Sequence, residues 1–161
     1  MRAIDVISSL RAFSVNEFPS GALENTSAEI LLVINELRME WMEPIHPSRR
    51  PNGWARFRGS KSSRHYAVGR LSDAGDIFPV GNVIGFWQLC LRHPKIGGVG
   101  IYFDTNRGLL QPGPMIHVDL RPNKLLWSRI NGKYYYFSHK DEIAGHHLTY
   151  KTMSDYLATL R

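Results

Sequence analysis

The stretch Gly113-Pro114-Met115-Ile116-His117-Val118-Asp119-Leu120-Arg121-Pro122 limits the choice of fold more than any other part of this chain. Its apolar residues Ile116, Val118 and Leu120 alternate with Met115, His117, Asp119 and Arg121, and a period of two marks a strand. Successive side chains of a strand point to opposite faces. One face is therefore apolar and suited to a core. The other carries an imidazole, a carboxylate and a guanidinium side by side. Polar groups buried without partners are costly, so a central strand 115–121 requires either a hydrogen-bond ladder or a ligand on that second face. The expectation is a single α+β domain, its antiparallel sheet centred on this strand with helices packed on one face.

Composition narrows the chemistry. At 161 residues, 43% of them apolar, the chain is long enough for one domain with a substantial core. Cys90 is its single cysteine, which excludes a disulfide framework and a thiolate zinc site. Metal ligands, if there are any, must be His, Asp or Glu. No apolar run is long enough to span a membrane. Asp5 interrupts the first ten residues before they can serve as a secretory signal, so synthesis in a cytoplasm without an export signal is expected.

A formal charge of +6 suits a polyanionic partner such as nucleic acid, a cell-wall polymer or an anionic membrane. Arg49, Arg50, Arg56, Arg58, Lys61, Arg64 and Arg70 form the basic cluster. No zinc-finger or RNA-recognition motif accompanies them. A nucleic-acid reading therefore rests on charge alone, and a solvated basic loop is the alternative.

Taken in order, residues 1–25 read as an irregular lead-in anchored by Phe13 and Phe18, with a turn at Pro19-Ser20-Gly21. Thr26 and Glu29 have capping-box spacing, and Ile30, Val33, Ile34, Leu37 and Trp41 repeat at helical spacing until Pro44 and Pro47 stop the helix. Residues 45–64 read as a long, functional loop. His65, Asp73 and Asp76 follow among small residues. Asn82–Leu91 reads as a buried helix, with Cys90 as core. The glycines of Gly97-Gly98-Val99-Gly100-Ile101-Tyr102 follow no phosphate-binding fingerprint and are assigned to tight backbone packing. Leu125–Arg129 and Lys133–Phe137 pair as a hairpin about Asn131-Gly132. Residues 151–160 read as a closing helix.

Three of these segments, in this order, resemble the LAS-type zinc peptidases. That family comprises D-Ala-D-Ala carboxypeptidases and dipeptidases, phage L-alanyl-D-glutamate endolysin peptidases and their small phage and bacterial relatives. Ser63-Arg64-His65 and Gly75-Asp76-Ile77 match the two ends of its Ser-x-His-x-x-Gly-x-Ala-x-Asp-Ile segment. Gly97-Gly98-Val99-Gly100-Ile101-Tyr102 matches the Gly-Gly-hydrophobic-Gly-x-Tyr of the small relatives. Ile116-His117-Val118-Asp119-Leu120-Arg121, running on to Trp127, matches a hydrophobic-His-Val-Asp-x-Arg strand. The resemblance covers about residues 13–127, including the helix and the Arg-bearing loop, and leaves 128–161 as a C-terminal hairpin and helix extension. The chain departs from the family where six residues separate the first His from the Asp, since Asp73 leaves seven and Asp76 ten. The Gly-Asp-Ile context favours Asp76, with 68–74 as an enlarged loop. Pro114 and Met115 stand where many relatives carry a His or an acid before the second metal His.

The resemblance implies a hedgehog/D-Ala-D-Ala-peptidase-like fold and a zinc ion held by His65, Asp76 and His117. It implies hydrolysis of peptidoglycan stem peptides by a phage-encoded protein, released to the wall at lysis or carried in a virion. Asp119 is the candidate general base, with orientation of His117 or metal ligation as alternatives. One arginine of the Arg49–Arg50 pair is the candidate for oxyanion or carboxylate binding, with Arg50 preferred, and Arg121 is expected to pair with Asp119. A virion or tail protein that keeps the fold without hydrolysis is the alternative function. The Tyr134-Tyr135-Tyr136 strand and the terminal helix are expected to cap the sheet, with a docking surface for a larger particle as the alternative.

Overall fold

The computed structural model describes residues 1–105, 108, 111 and 113–137. The lead-in is built from three short 3-10 turns, Ala3–Asp5, Ile7–Ser9 and Val15–Glu17. Phe13 and Phe18 are buried as expected, edge to face at 5.6 Å, and Phe18 meets Trp54 at 4.9 Å.

Helix α1 (Ala28–Trp41) buries Ile30, Leu31, Val33, Ile34 and Leu37. Its cap is one residue later than the capping-box spacing predicts. Ser27 accepts from the Ile30 N–H, while the Thr26 hydroxyl donates to the Ala22 carbonyl at 2.8 Å. Thr26 is withdrawn from capping because its backbone bridges to Ser72. Met42 closes the helix in the left-handed region, two residues before Pro44. Helix α2 (Val83–Arg92) is capped by Asn82, whose side-chain oxygen accepts from the Gly85 N–H at 3.1 Å.

Six strands form one sheet: β1 (Ile45–Pro47), β2 (Ala74–Pro79), β3 (Gly98–Tyr102), β4 (Met115–Asp119), β5 (Leu125–Ile130) and β6 (Lys133–Phe137), in the order β1-β2-β4-β3-β5-β6. Strand β4 is internal, as its pattern requires. Ile116 and Val118 join Ile77, Val99, Ile101, Leu126, Ile34 and Phe86 in one core cluster, placing the helices against that face. The hairpin turns at Asn131 and Gly132, both with positive φ, as a two-residue turn of this type demands.

Two expectations need correction. The sheet is mostly rather than wholly antiparallel, because β5 runs parallel to β3. After β4 the chain reverses and crosses the start of β3 instead of pairing with β4. Gly97 makes the crossing feasible: a Cβ there would lie 1.8 Å from the Arg121 carbonyl oxygen, and the Gly97 N–H and C=O bond to Asp119 and Leu125. The stretch 45–64 is also more ordered than a long loop. It contains β1, a 3-10 turn at Pro51–Gly53 and the fully buried Trp54, whose indole N–H donates to the Ser48 carbonyl at 2.8 Å. The expected helix at 151–160 lies outside the described residues. Among the described residues no helix is long and apolar enough to cross a membrane.

Candidate metal centre

The face of the sheet opposite the helices carries the polar residues. Strand pairing places Asp76 beside His117, His117 beside Gly100, Gly100 beside Trp127 and Trp127 beside Tyr136. A single row thus crosses five strands. A second row runs Met115, Tyr102, Arg129, Tyr134.

His65 reaches the first row from outside the sheet. A backbone bridge fixes its segment, with the Arg56 N–H donating to the His65 carbonyl and the Ala67 N–H to the Arg56 carbonyl. The loop that follows is tied down by Arg70, which donates to the Tyr66 and Ser63 carbonyls. The ten residues between His65 and Asp76 therefore loop out without separating the two side chains.

His65 Nε2, His117 Nδ1 and Asp76 Oδ1 form a triangle. The two nitrogens are 3.0 Å apart, and they lie 3.2 and 3.0 Å from the carboxylate oxygen. All three residues are buried, at 3–5% exposure. The outer ring nitrogens are committed as donors: His65 Nδ1 to the Trp54 carbonyl at 3.3 Å, His117 Nε2 to Asp119 at 3.0 Å. In the neutral rings the inner nitrogens then carry only lone pairs. Three acceptors facing one another need a cation or an added proton between them. An ion about 2.1 Å from each atom fits a triangle of this size, and the donor set can hold a metal.

Electrostatics point the same way. Burial would raise the Asp76 carboxyl, but His65 and His117 outweigh it and hold the group below the usual carboxylate range. Burial would lower His117, but hydrogen bonds to Asp119 and Asp76 prevail and push it up to about 9.

Of the two aspartates weighed as ligand, Asp76 is in the triangle. Asp73 pairs with Arg64 instead, and burial raises its carboxyl despite that partner. Asp119 is fully buried and accepts from His117, from the Arg121 backbone N–H at 3.1 Å and from its guanidinium at 2.8 Å. Against the effect of burial, Arg121 first and then His117 hold Asp119 below the carboxylate range. Asp119 thus bonds His117 through one oxygen and Arg121 through both, the contact that orientation of His117 requires. The pairing of Arg121 with Asp119 is as expected.

An open cavity of about 640 Å³ leads to the trio. Asp76 is the one carboxylate among its described lining residues, while Arg50, Arg56, Arg64, Arg121 and Arg129 all line it. Arg50 makes no ion pair among the described residues, whereas Arg64, Arg121 and Arg129 hold Asp73, Asp119 and Asp104. Trp127 closes one side of the centre, its ring 5.0 Å from that of His117. Sequence reasoning missed Tyr102, Trp127 and Arg129 as lining residues. The signal available was the parity of β3 and β5, which becomes usable only when their register is known. Gly100 belongs to the same arrangement, since a Cβ there would lie 2.3 Å from the Trp127 ring. Comparison with family models, with curated proteins and with solved structures returns no match to this chain.

Proposed function

We propose that the chain is a zinc-dependent peptidase cleaving peptidoglycan stem peptides, with a hedgehog/D-Ala-D-Ala-peptidase-like fold. The observation that carries this reading is the buried His65–Asp76–His117 trio at the foot of an open, arginine-lined cavity. Two histidines and a carboxylate are a common protein donor set for catalytic zinc. Zinc held there supplies a Lewis acid that polarises a peptide carbonyl and acidifies water. Asp119, fixed by Arg121, holds His117 in the tautomer whose Nδ1 faces the centre. Arg50, with no carboxylate partner among the described residues, binds a substrate carboxylate or the negative charge that develops on the carbonyl oxygen. The positive charge of the cavity suits the acidic wall peptides. A phage-encoded protein, made in the host cytoplasm and delivered to the wall at lysis or on a virion, accords with this chemistry.

A second reading, a virion or tail protein that keeps the centre without hydrolysis, is favoured by one observation. Among the described residues lining the cavity, no carboxylate besides Asp76 is placed to take a proton from water. Zinc content with and without chelator, measured alongside release of amino groups from purified peptidoglycan, separates the two. Stoichiometric zinc with zinc-dependent cleavage supports the peptidase. Stoichiometric zinc with no cleavage of wall or stem peptide supports the structural protein.

A further inference from the structure

The two register rows extend past the metal centre to the hairpin, and their far end is a surface of aromatic rings. Tyr134 and Tyr136 stand on the cavity side of β6, 48% and 47% exposed. Their rings are nearly parallel, 19° apart with centroids 6.4 Å from each other. Exposed large rings standing together on a cavity wall mark a binding surface more often than rings scattered singly. These are also held in place. Tyr134 meets the Tyr102 ring edge to face at 6.1 Å, and Tyr102 accepts from the Trp127 indole N–H at 3.1 Å. The Arg129 guanidinium lies over both Tyr102 and Tyr134, at 5.2 and 6.0 Å, while Asp104 anchors it at 3.0 Å.

Three strand steps separate Tyr136 from His117, roughly 14 Å at the usual spacing of ~4.8 Å. That span is about four residues of extended peptide, so a single ligand of that length reaches from the trio to the shelf, and the shelf lies well away from the trio. The shelf offers the half-exposed rings of Tyr134 and Tyr136 together with their phenol hydroxyls and the Arg129 guanidinium. Such a surface complements a flat ligand with apolar C–H faces and a polar rim, the character of a pyranose ring.

We propose that Tyr134 and Tyr136, backed by Tyr102 and Arg129, form a sugar-stacking subsite for the glycan strand that carries the peptide. This rests on the wall-substrate reading for the identity of the glycan, but binding to the shelf requires neither zinc nor hydrolysis.

The test is titration of the full chain with chitotetraose in excess chelator, followed by calorimetry and by the ring-proton resonances of the tyrosines. The expected result is saturable binding that shifts the Tyr134 and Tyr136 ring signals. Replacing both rings (Tyr134→Leu with Tyr136→Leu) should weaken binding about tenfold or more, and the Tyr→Phe pair should retain it. The ring signals of the unaltered protein decide the matter even if the Leu pair fails to fold. The proposal is overturned by no binding at millimolar chitotetraose, by signals elsewhere shifting in place of the two tyrosines, or by a folded Leu pair binding as well as the parent. Poly-L-glutamate shifting the tyrosine signals where chitotetraose does not would also overturn it, and would assign the shelf to an acidic peptide. Binding with no wall cleavage would retain the subsite and remove the peptidase.

Discussion

The Nδ1 of His117 faces the Nε2 of His65 at 3.0 Å, although each ring already donates from its other nitrogen. Two imidazoles so oriented present lone pairs to each other and to Asp76 unless a proton or a metal ion joins them. The predictions concern what joins them and what surrounds them.

Zinc should bind with a stoichiometry of one, and His65→Ala, Asp76→Ala and His117→Ala should each abolish it. Asp73→Ala should leave it intact, because that carboxylate holds Arg64 instead. Zinc retained per chain after gel filtration, measured by elemental analysis, checks this. Loss in Asp73→Ala with retention in Asp76→Ala would reverse the assignment.

Asp119→Asn should weaken zinc binding by about 10- to 100-fold, the usual cost of losing a partner that orients a ligand. Competition with a chromogenic chelator measures the shift. If Asp119 were instead a general base standing free of His117, affinity would not change and only cleavage would fall.

The metal-free protein should lose stability as pH rises from about 6.5 to 9. His117 is pushed up to about 9 in the folded protein, above its unfolded value, so its contribution is complete below the unfolded pKa and disappears as pH rises through the folded one. Asp76 is held below the carboxylate range, so its contribution is lost only on strong acidification. Zinc bound at this centre would compete with the His117 proton, so its stabilising effect should grow across the same alkaline window. Thermal unfolding at several pH values, with chelator and with zinc, registers both slopes.

Arg50→Ala should lower wall cleavage by about 10²- to 10³-fold if its guanidinium stabilises the developing oxyanion. Zinc uptake and thermal midpoint should not change, since Arg50 makes no ion pair among the described residues. Turnover and metal content measured on the same preparation separate this from a general loss of fold.

Gly100→Ala should destabilise the protein by about 1–3 kcal/mol, the usual cost of forcing a methyl into filled space. The new Cβ would sit 2.3 Å from the Trp127 indole, which borders His117. Both the unfolding midpoint and the Trp fluorescence should shift, and an unchanged midpoint would show that the indole moves aside freely.

The alternation at 115–121 made β4 legible, and Asn131-Gly132 did the same for the hairpin, because both signals are local. The helix at 28–41 was legible through its apolar stripe, but its cap was displaced when tertiary pairing engaged Thr26. Strand β2 could not be read because all six of its residues are buried, so no polar alternation marks it. The parallel placement of β5 beside β3 depends on a crossover at Gly97, which composition does not announce. Within the site, the resemblance of short segments to a known motif named His65, Asp76 and His117, in spite of the spacing between the first two. It could not decide what Asp119 does, since that depends on how Arg121 and His117 share its two oxygens.

Asp76 and His117 are directly paired residues on adjacent strands. A slip of one residue in that pairing would turn one of them into the helix layer, because side chains alternate faces. The trio can therefore be assembled in a single alignment of β2 with β4. An ion that binds it stabilises that alignment and no other, so it acts as a checksum on how the chain has been threaded as well as a centre for chemistry.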